Sequence, residues 1–83
     1  MKTINEIANF LNTNGIKVTV ESRYDSILDE EVQVITFNNS FDSMDFNYLG
    51  QLVHHVGIFC EPIFIPKSRI KTYLKNLVAS VNK

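Results

Sequence analysis

Cys60 is the only cysteine of the 83-residue chain, so no disulfide within one copy can reinforce the fold. A chain of this length builds one small hydrophobic core, which leaves a modest margin of stability. We therefore expect a single domain spanning residues 1–83 and held together by packing alone. A lone cysteine is typical of proteins in reducing compartments, which predicts a cytoplasmic location.

The N-terminal segment resembles neither a secretory signal nor a membrane anchor. Residues 1–6 pass directly into an amphipathic pattern, without an apolar stretch followed by a small-residue cleavage site. No apolar run in the chain approaches about 18 residues, the length that spans a bilayer. The sequence therefore predicts no membrane partner.

The first half of the chain changes from a helical to an alternating pattern of apolar residues. Residues 4–11 have helical spacing, after a Thr3–Glu6 capping box and before an Asn14–Gly15 stop. Alternation then predicts one half-buried strand over residues 16–21 and a central strand over residues 32–37.

The second half predicts a helix, a strand and another helix. A helical stripe indicates a second helix from Asp42, Ser43 or Asp45 to Gly57, with Gly50 as a costly interior position. Residues 58–65 predict a third strand, which Pro62 places at a sheet edge. The face of residues 70–81 predicts a third helix. The expected α+β fold is a small three-stranded, mainly antiparallel sheet with three helices, in the order α-β-β-α-β-α.

Residues 54–61 hold the only closely spaced side chains that bind transition metals: His54, His55, Cys60 and Glu61. On a helix, His54 and His55 would point about 100° apart, which works against a shared ion. Cys60 lies in an apolar stretch beside Glu61, a setting that disfavours a reactive thiolate. We expect no metal site, and a small metal protein or enzyme centred on His54, His55 and Cys60 is a lesser alternative.

Motifs that organise catalysis or cofactor binding are absent from the sequence. It has no phosphate-binding glycine loop, dinucleotide fingerprint, zinc-protease helix or nucleophile elbow. Only three glycines are available to build such loops. We therefore expect no enzyme, no catalytic residue and no cofactor.

Acidic residues concentrate before the second strand and at the predicted start of the second helix: Asp25, Asp29, Glu30, Glu31, Asp42 and Asp45. Helix capping would account for the last two. Acidic side chains also imitate nucleic-acid phosphates and attract a basic surface. The leading hypothesis is a non-catalytic protein-interaction domain, an inhibitor or regulator of a larger nucleic-acid-handling protein, that uses these acids.

Basic residues concentrate at the other end of the chain, and residues 66–83 contain no acid. Four of them form an alternative anion or nucleic-acid site at the third predicted helix: Lys67, Arg69, Lys71 and Lys75. The competing interpretation is that they keep the helix soluble or pair with the acidic connection. A pI near 6.0 and the lack of RNA-binding signatures make nucleic acid the secondary partner.

The composition, with nine Asn and nine Ile, is similar to that of small phage- or plasmid-encoded inhibitors and of immunity proteins. This resemblance implies binding to a larger enzyme, and since no motif carries it, it assigns no residue. Homodimerisation is compatible with every hypothesis, through apolar strand residues such as Ile35 or Phe37 that so small a chain leaves uncovered.

Overall fold

The computed structural model describes residues 3–82. The elements follow in the order α1 (Ile4–Thr13), β1 (Val18–Asp25), β2 (Glu30–Phe37), β3 (Ser43–Phe46), β4 (Leu52–Val56), β5 (Glu61–Ile65), a 3₁₀ turn (Lys67–Arg69) and α2 (Ile70–Val81). All five strands pair antiparallel with their neighbours in chain order. The fold is α+β, but the predicted three-stranded sheet with three helices is wrong, because the described residues form a five-stranded sheet with two helices.

Both helices cover the same face of the sheet. Leu11 of α1 and Leu74 of α2 are fully buried, and they belong to one core cluster with the strand residues Ile35, Met44 and Leu52. Side chains alternate along a strand, so the strand residues next to those of the core point to the other face of the sheet. We call this face, which neither helix covers, the open face. It carries Thr19, Glu21, Arg23, Val34, Asp45, Val53, His55, Pro62 and Phe64. No helix within residues 3–82 combines the length and apolarity that a membrane crossing requires.

The first predicted helix is confirmed as α1. The Thr3 hydroxyl accepts the backbone N–H of Glu6 at 3.1 Å and donates to the Glu6 carboxylate at 3.2 Å. At the other end, Gly15 adopts a φ of +89°, the left-handed conformation that ends many helices. The capping signals in the sequence therefore position both ends of α1.

The predicted second helix is wrong, because residues 42–57 form β3, a tight turn and β4. Asn47 organises the turn: its Oδ1 accepts the backbone N–H groups of Leu49 and Gln51, both at 3.0 Å. Gly50 has a φ of +77°, and a Cβ there would lie 2.5 Å from Lys67 Cε. Gly50 is thus a turn residue in a crowded place, and not a costly position inside a helix.

The last strand and last helix follow the prediction with shifted boundaries. The third predicted strand begins late, because residues 57–60 form the β4–β5 turn, in which Cys60 has a φ of +52°. Pro62 does lie on an edge strand, β5. The predicted C-terminal helix is confirmed as α2, preceded by the 3₁₀ turn.

The β1–β2 hairpin extends beyond the rest of the sheet. β1 and β2 pair over their full length of eight residues, whereas β2 pairs with β3 only at Ile35 and Thr36. Residues 22–33 therefore lie outside the ladder that joins β2 to β3, and we call them the hairpin arm. Ile35 is fully buried beneath the helices and Phe37 packs against the core, so these two residues do not provide the uncovered apolar surface expected for a homodimer.

Candidate functional site

The end of the hairpin arm is a turn built by two aspartates. The Asp25 carboxylate accepts the backbone N–H groups of Ile27 at 2.9 Å and Leu28 at 3.2 Å. Asp29 has a φ of +54°, a conformation that aspartate tolerates better than most residues, and its carboxylate accepts the Tyr24 hydroxyl. This hydrogen bond is the main reason that the pKa of Tyr24 is raised. Asp25 and Asp29 therefore shape the turn.

Glu30 and Glu31 follow this turn and are exposed at the start of β2. We call these two glutamates, with Asp25 and Asp29, the acidic tip. No Lys or Arg within residues 3–82 forms an ion pair with them. Ile27, which lies between Asp25 and Asp29, is 92% exposed, and Tyr24, which precedes Asp25, is 63% exposed. The acidic tip thus combines uncompensated negative charge with uncovered apolar side chains.

Asp42 and Asp45 do not cap a helix, and the carboxylate of each forms a hydrogen bond with a histidine. Asp42 Oδ2 lies 2.8 Å from His54 Nε2, and its Oδ1 accepts the backbone N–H of Gly57 at 2.9 Å. Asp45 Oδ1 lies 3.0 Å from His55 Nε2. Asp45 also lines a cleft with Asp25, whereas Asp42 belongs to the loop at the other end of the sheet. Of the six predicted acids, the structure therefore keeps the four of the hairpin end together, brings Asp45 into a cleft with Asp25, and leaves Asp42 apart.

His54 is buried between the sheet and α2, with 4% of its surface exposed. Its Nδ1 lies 2.6 Å from the Tyr73 hydroxyl, and its ring stacks on Phe37 with centroids 5.6 Å apart. A carboxylate only accepts, so the neutral ring that satisfies both partners carries its proton on Nε2 and accepts the Tyr73 hydroxyl at Nδ1. The Asp42–His54–Tyr73 chain therefore ties the β2–β3 loop and β4 to α2.

Tyr73 makes the stability of the folded protein sensitive to alkaline pH. Burial and the nearby Asp42 carboxylate raise its pKa above the ordinary value. Above about pH 10 the unfolded chain has then lost a proton that the folded chain keeps, so stability falls as pH rises through the folded pKa. We expect Tyr73→Phe to show a shallower loss of thermal stability than wild type above pH 10. Tyr48→Phe, at a position 84% exposed, is the matched control and should keep the wild-type slope.

His55 and Cys60 lie on the open face, in a cleft of about 450 Å³. Its walls are mostly apolar, including Val53, Pro62 and Phe64. His54 points to the opposite face, because neighbouring residues of a strand alternate. No three metal-binding side chains within residues 3–82 lie close enough to hold an ion.

The four basic residues of the alternative site lie at one end of α2 and along it. Lys67 and Arg69 belong to the 3₁₀ turn, and Lys71 and Lys75 to the helix, and all four are exposed. No acid within residues 3–82 pairs with them, so the predicted pairing with the acidic connection is not found there.

The exposure of Tyr24 and Ile27 and the length of β1 were not predicted from the sequence, and neither was the hydrogen bond between the half-buried Tyr73 and His54. The Asp25–Asp29 spacing around a short apolar pair was a turn signal that could have indicated the hairpin. Comparison of the chain with protein-family models, with curated proteins and with solved structures gave no match.

Proposed function

We propose that the protein is a non-catalytic protein-binding domain, an inhibitor or regulator of a larger nucleic-acid-handling protein, and that its acidic tip is the binding surface. The observation that supports this most is the exposure of apolar side chains among carboxylates that have no basic partner within residues 3–82, at the end of the hairpin arm. Binding surfaces of proteins typically place such apolar anchors inside a polar rim.

The carboxylates would select the partner and the apolar residues would hold it. A cluster of negative charge speeds encounter with a basic cleft, such as one that binds nucleic-acid phosphates. Ile27 and Leu28 then supply apolar area that loses its water on contact. The end of the arm lies beyond the β2–β3 ladder, and Asp25, Ile27 and Leu28 line the same cleft as β3 and β4 residues, so a partner bound at the tip would also reach that cleft. Cys60, an exposed free thiol, suits a reducing compartment, and we place this activity in the cytoplasm.

We expect the double variant Glu30→Lys/Glu31→Lys to bind the partner at least tenfold more weakly than wild type. Both side chains are exposed, whereas Asp25 and Asp29 are unsuitable because they build the turn. The partner would first be captured from the native host with tagged protein after nuclease treatment. Its affinity for each purified variant would then be measured by titration calorimetry.

Lys71→Glu/Lys75→Glu is the matched control, because it reverses two exposed charges on α2, away from the arm. It should leave the affinity for the partner within about twofold of wild type. Wild-type affinity in the Glu30/Glu31 variant, or equal weakening in both variants, would contradict the assignment of the acidic tip.

The second candidate is a nucleic-acid or anion-binding module that uses the basic residues of α2. The observation that favours it is that Lys67, Arg69, Lys71 and Lys75 are exposed and unpaired within residues 3–82. The same two variants separate the candidates: Lys71→Glu/Lys75→Glu would abolish a complex with nucleic acid, and nuclease treatment would remove whatever the tagged protein captures.

A further inference from the structure

The sheet has two edges, and they differ in their capacity to accept another strand. β5 has five residues, and Pro62 lacks the N–H that a ladder needs. β1 has eight residues without proline or glycine, and its register with β2 is continuous from Val18 to Asp25. β1 is therefore the edge at which a further strand can add.

The hydrogen bonds of β1 show which backbone groups face outward. The Asn38 N–H donates to the Lys17 carbonyl at 3.0 Å, so Lys17 points toward β2. Because backbone direction alternates in an antiparallel ladder, the even-numbered residues of β1 point away from β2. The Val18 N–H confirms this direction, since it donates to Asn12 Oδ1 of α1 at 2.9 Å. The N–H and C=O groups of Val20, Ser22 and Tyr24 are left at the open edge.

We propose that β1 pairs antiparallel with β1 of a second copy, about a twofold axis at Ser22. In this register Ser22 faces Ser22, and Val20 faces Tyr24 of the second copy. These residues all present outward N–H and C=O groups, so each facing pair exchanges two hydrogen bonds. The two five-stranded sheets become one continuous sheet.

The charges of β1 favour this register, and they favour a second copy of the protein as the partner of β1. Glu21 and Arg23 pair with each other within one copy at 3.1 Å. In the dimer Glu21 also lies opposite Arg23 of the second copy on the open face, and this arrangement occurs twice. Sliding the strands to the next allowed register would place Glu21 against Glu21 or Arg23 against Arg23, and like charges directly opposite destabilise a sheet. Charges on an edge strand usually prevent pairing, but the pattern of Glu21 and Arg23 about Ser22 is complementary to itself.

The same register covers apolar surface. Val20 and Tyr24 alternate with the charges and point to the other side of the sheet, where Tyr24 is 63% exposed. Pairing places the Tyr24 ring beside Val20 of the second copy, an aromatic and β-branched pair that stabilises antiparallel strands. The pairing shares Tyr24 with the proposed partner surface but involves neither Glu30 nor Glu31, so variants of these two glutamates distinguish the two proposals.

Charge swapping tests the register. Sedimentation equilibrium should show a dimer that Glu21→Arg or Arg23→Glu alone weakens at least tenfold, since each places like charges opposite each other. The double variant Glu21→Arg/Arg23→Glu should restore the wild-type dissociation constant within about threefold. Glu30→Lys/Glu31→Lys should leave it unchanged. A protein that stays monomeric to about 1 mM, or a dimer insensitive to the single variants, would overturn the proposal.

A cysteine at the axis tests the geometry separately. Facing residues in a hydrogen-bonded antiparallel pair have Cα atoms about 5.5 Å apart, within the range that a disulfide spans. In a Cys60→Ser background, Ser22→Cys should cross-link under mild oxidation at concentrations where the dimer forms. Thr19→Cys is the matched control and should stay uncross-linked, because Thr19 faces Asp25 of the second copy. Equal cross-linking at both positions would contradict the register.

Discussion

Replacing Leu74 with alanine is expected to lower the free energy of unfolding by about 3 kcal/mol, the largest effect that we expect from a single change in this protein. Leu74 is fully buried and belongs to the cluster that joins α2 to the sheet and to α1. Truncation removes its transfer free energy and leaves a cavity. In a domain this small, such a loss lowers the melting temperature by about 12 to 24 °C.

Val81→Ala is the matched control on the same helix, because Val81 is 54% exposed and the change should cost less than about 0.5 kcal/mol. Urea denaturation followed by circular dichroism measures both free energies. A cost below about 1 kcal/mol for Leu74→Ala would mean that α2 contributes little to the core. The exposed Lys71 and Lys75 would then lie on a loosely attached helix and could not form a fixed surface.

Both helices could be predicted from the sequence because their signals are local. The Thr3–Glu6 cap and Gly15 act within a few residues of the helix that they bound, and α2 presents an apolar face over its whole length. Apolar residues with helical spacing over this length cannot belong to a half-buried strand, because a strand would place successive apolar residues on both of its faces.

The region between β2 and α2 could not be predicted for the opposite reason. Phe46, Leu49 and Val53 have helical spacing, but in the structure Phe46 faces the helices, Leu49 lies in the turn and Val53 faces the open side. Their spacing is accidental, and the decisive signal is the turn built by Asn47 and Gly50. The predicted sheet lacks β3 and β4 because Gly50 was assigned to the inside of a helix, whereas it ends the turn between these two strands.

The candidate site was predicted in part. The acids of residues 25–31 are close in sequence and remain together in the structure, in the turn before β2 and at its start. Asp42 was predicted to belong with them only because it is acidic. In the structure it forms a hydrogen bond with His54, twelve residues away in sequence. Contacts of this range depend on strand pairing, which a wrong prediction of β3 and β4 could not supply. The partners of Tyr73 were invisible for the same reason.

His54→Phe is expected to lower the free energy of unfolding by about 2 to 3 kcal/mol. Phenylalanine keeps the stacking on Phe37, so the change isolates the two hydrogen bonds of the imidazole. It leaves the hydroxyl of the half-buried Tyr73 and the Oδ2 atom of the half-buried Asp42 without their partner. His55→Phe is the control: that side chain is 29% exposed, water can replace its bond to Asp45, and the cost should stay below about 1 kcal/mol.

A double-mutant cycle decides whether His54 and Tyr73 stabilise the protein through the hydrogen bond between them. If Tyr73 is held by His54, then Tyr73→Phe should cost about 1 kcal/mol less in the His54→Phe background than in wild type, because the bond that it removes is already lost. Additive costs, measured by urea denaturation, would show that His54 and Tyr73 stabilise the protein separately. In that case the hydrogen bond of 2.6 Å between them would not be what ties β4 to α2.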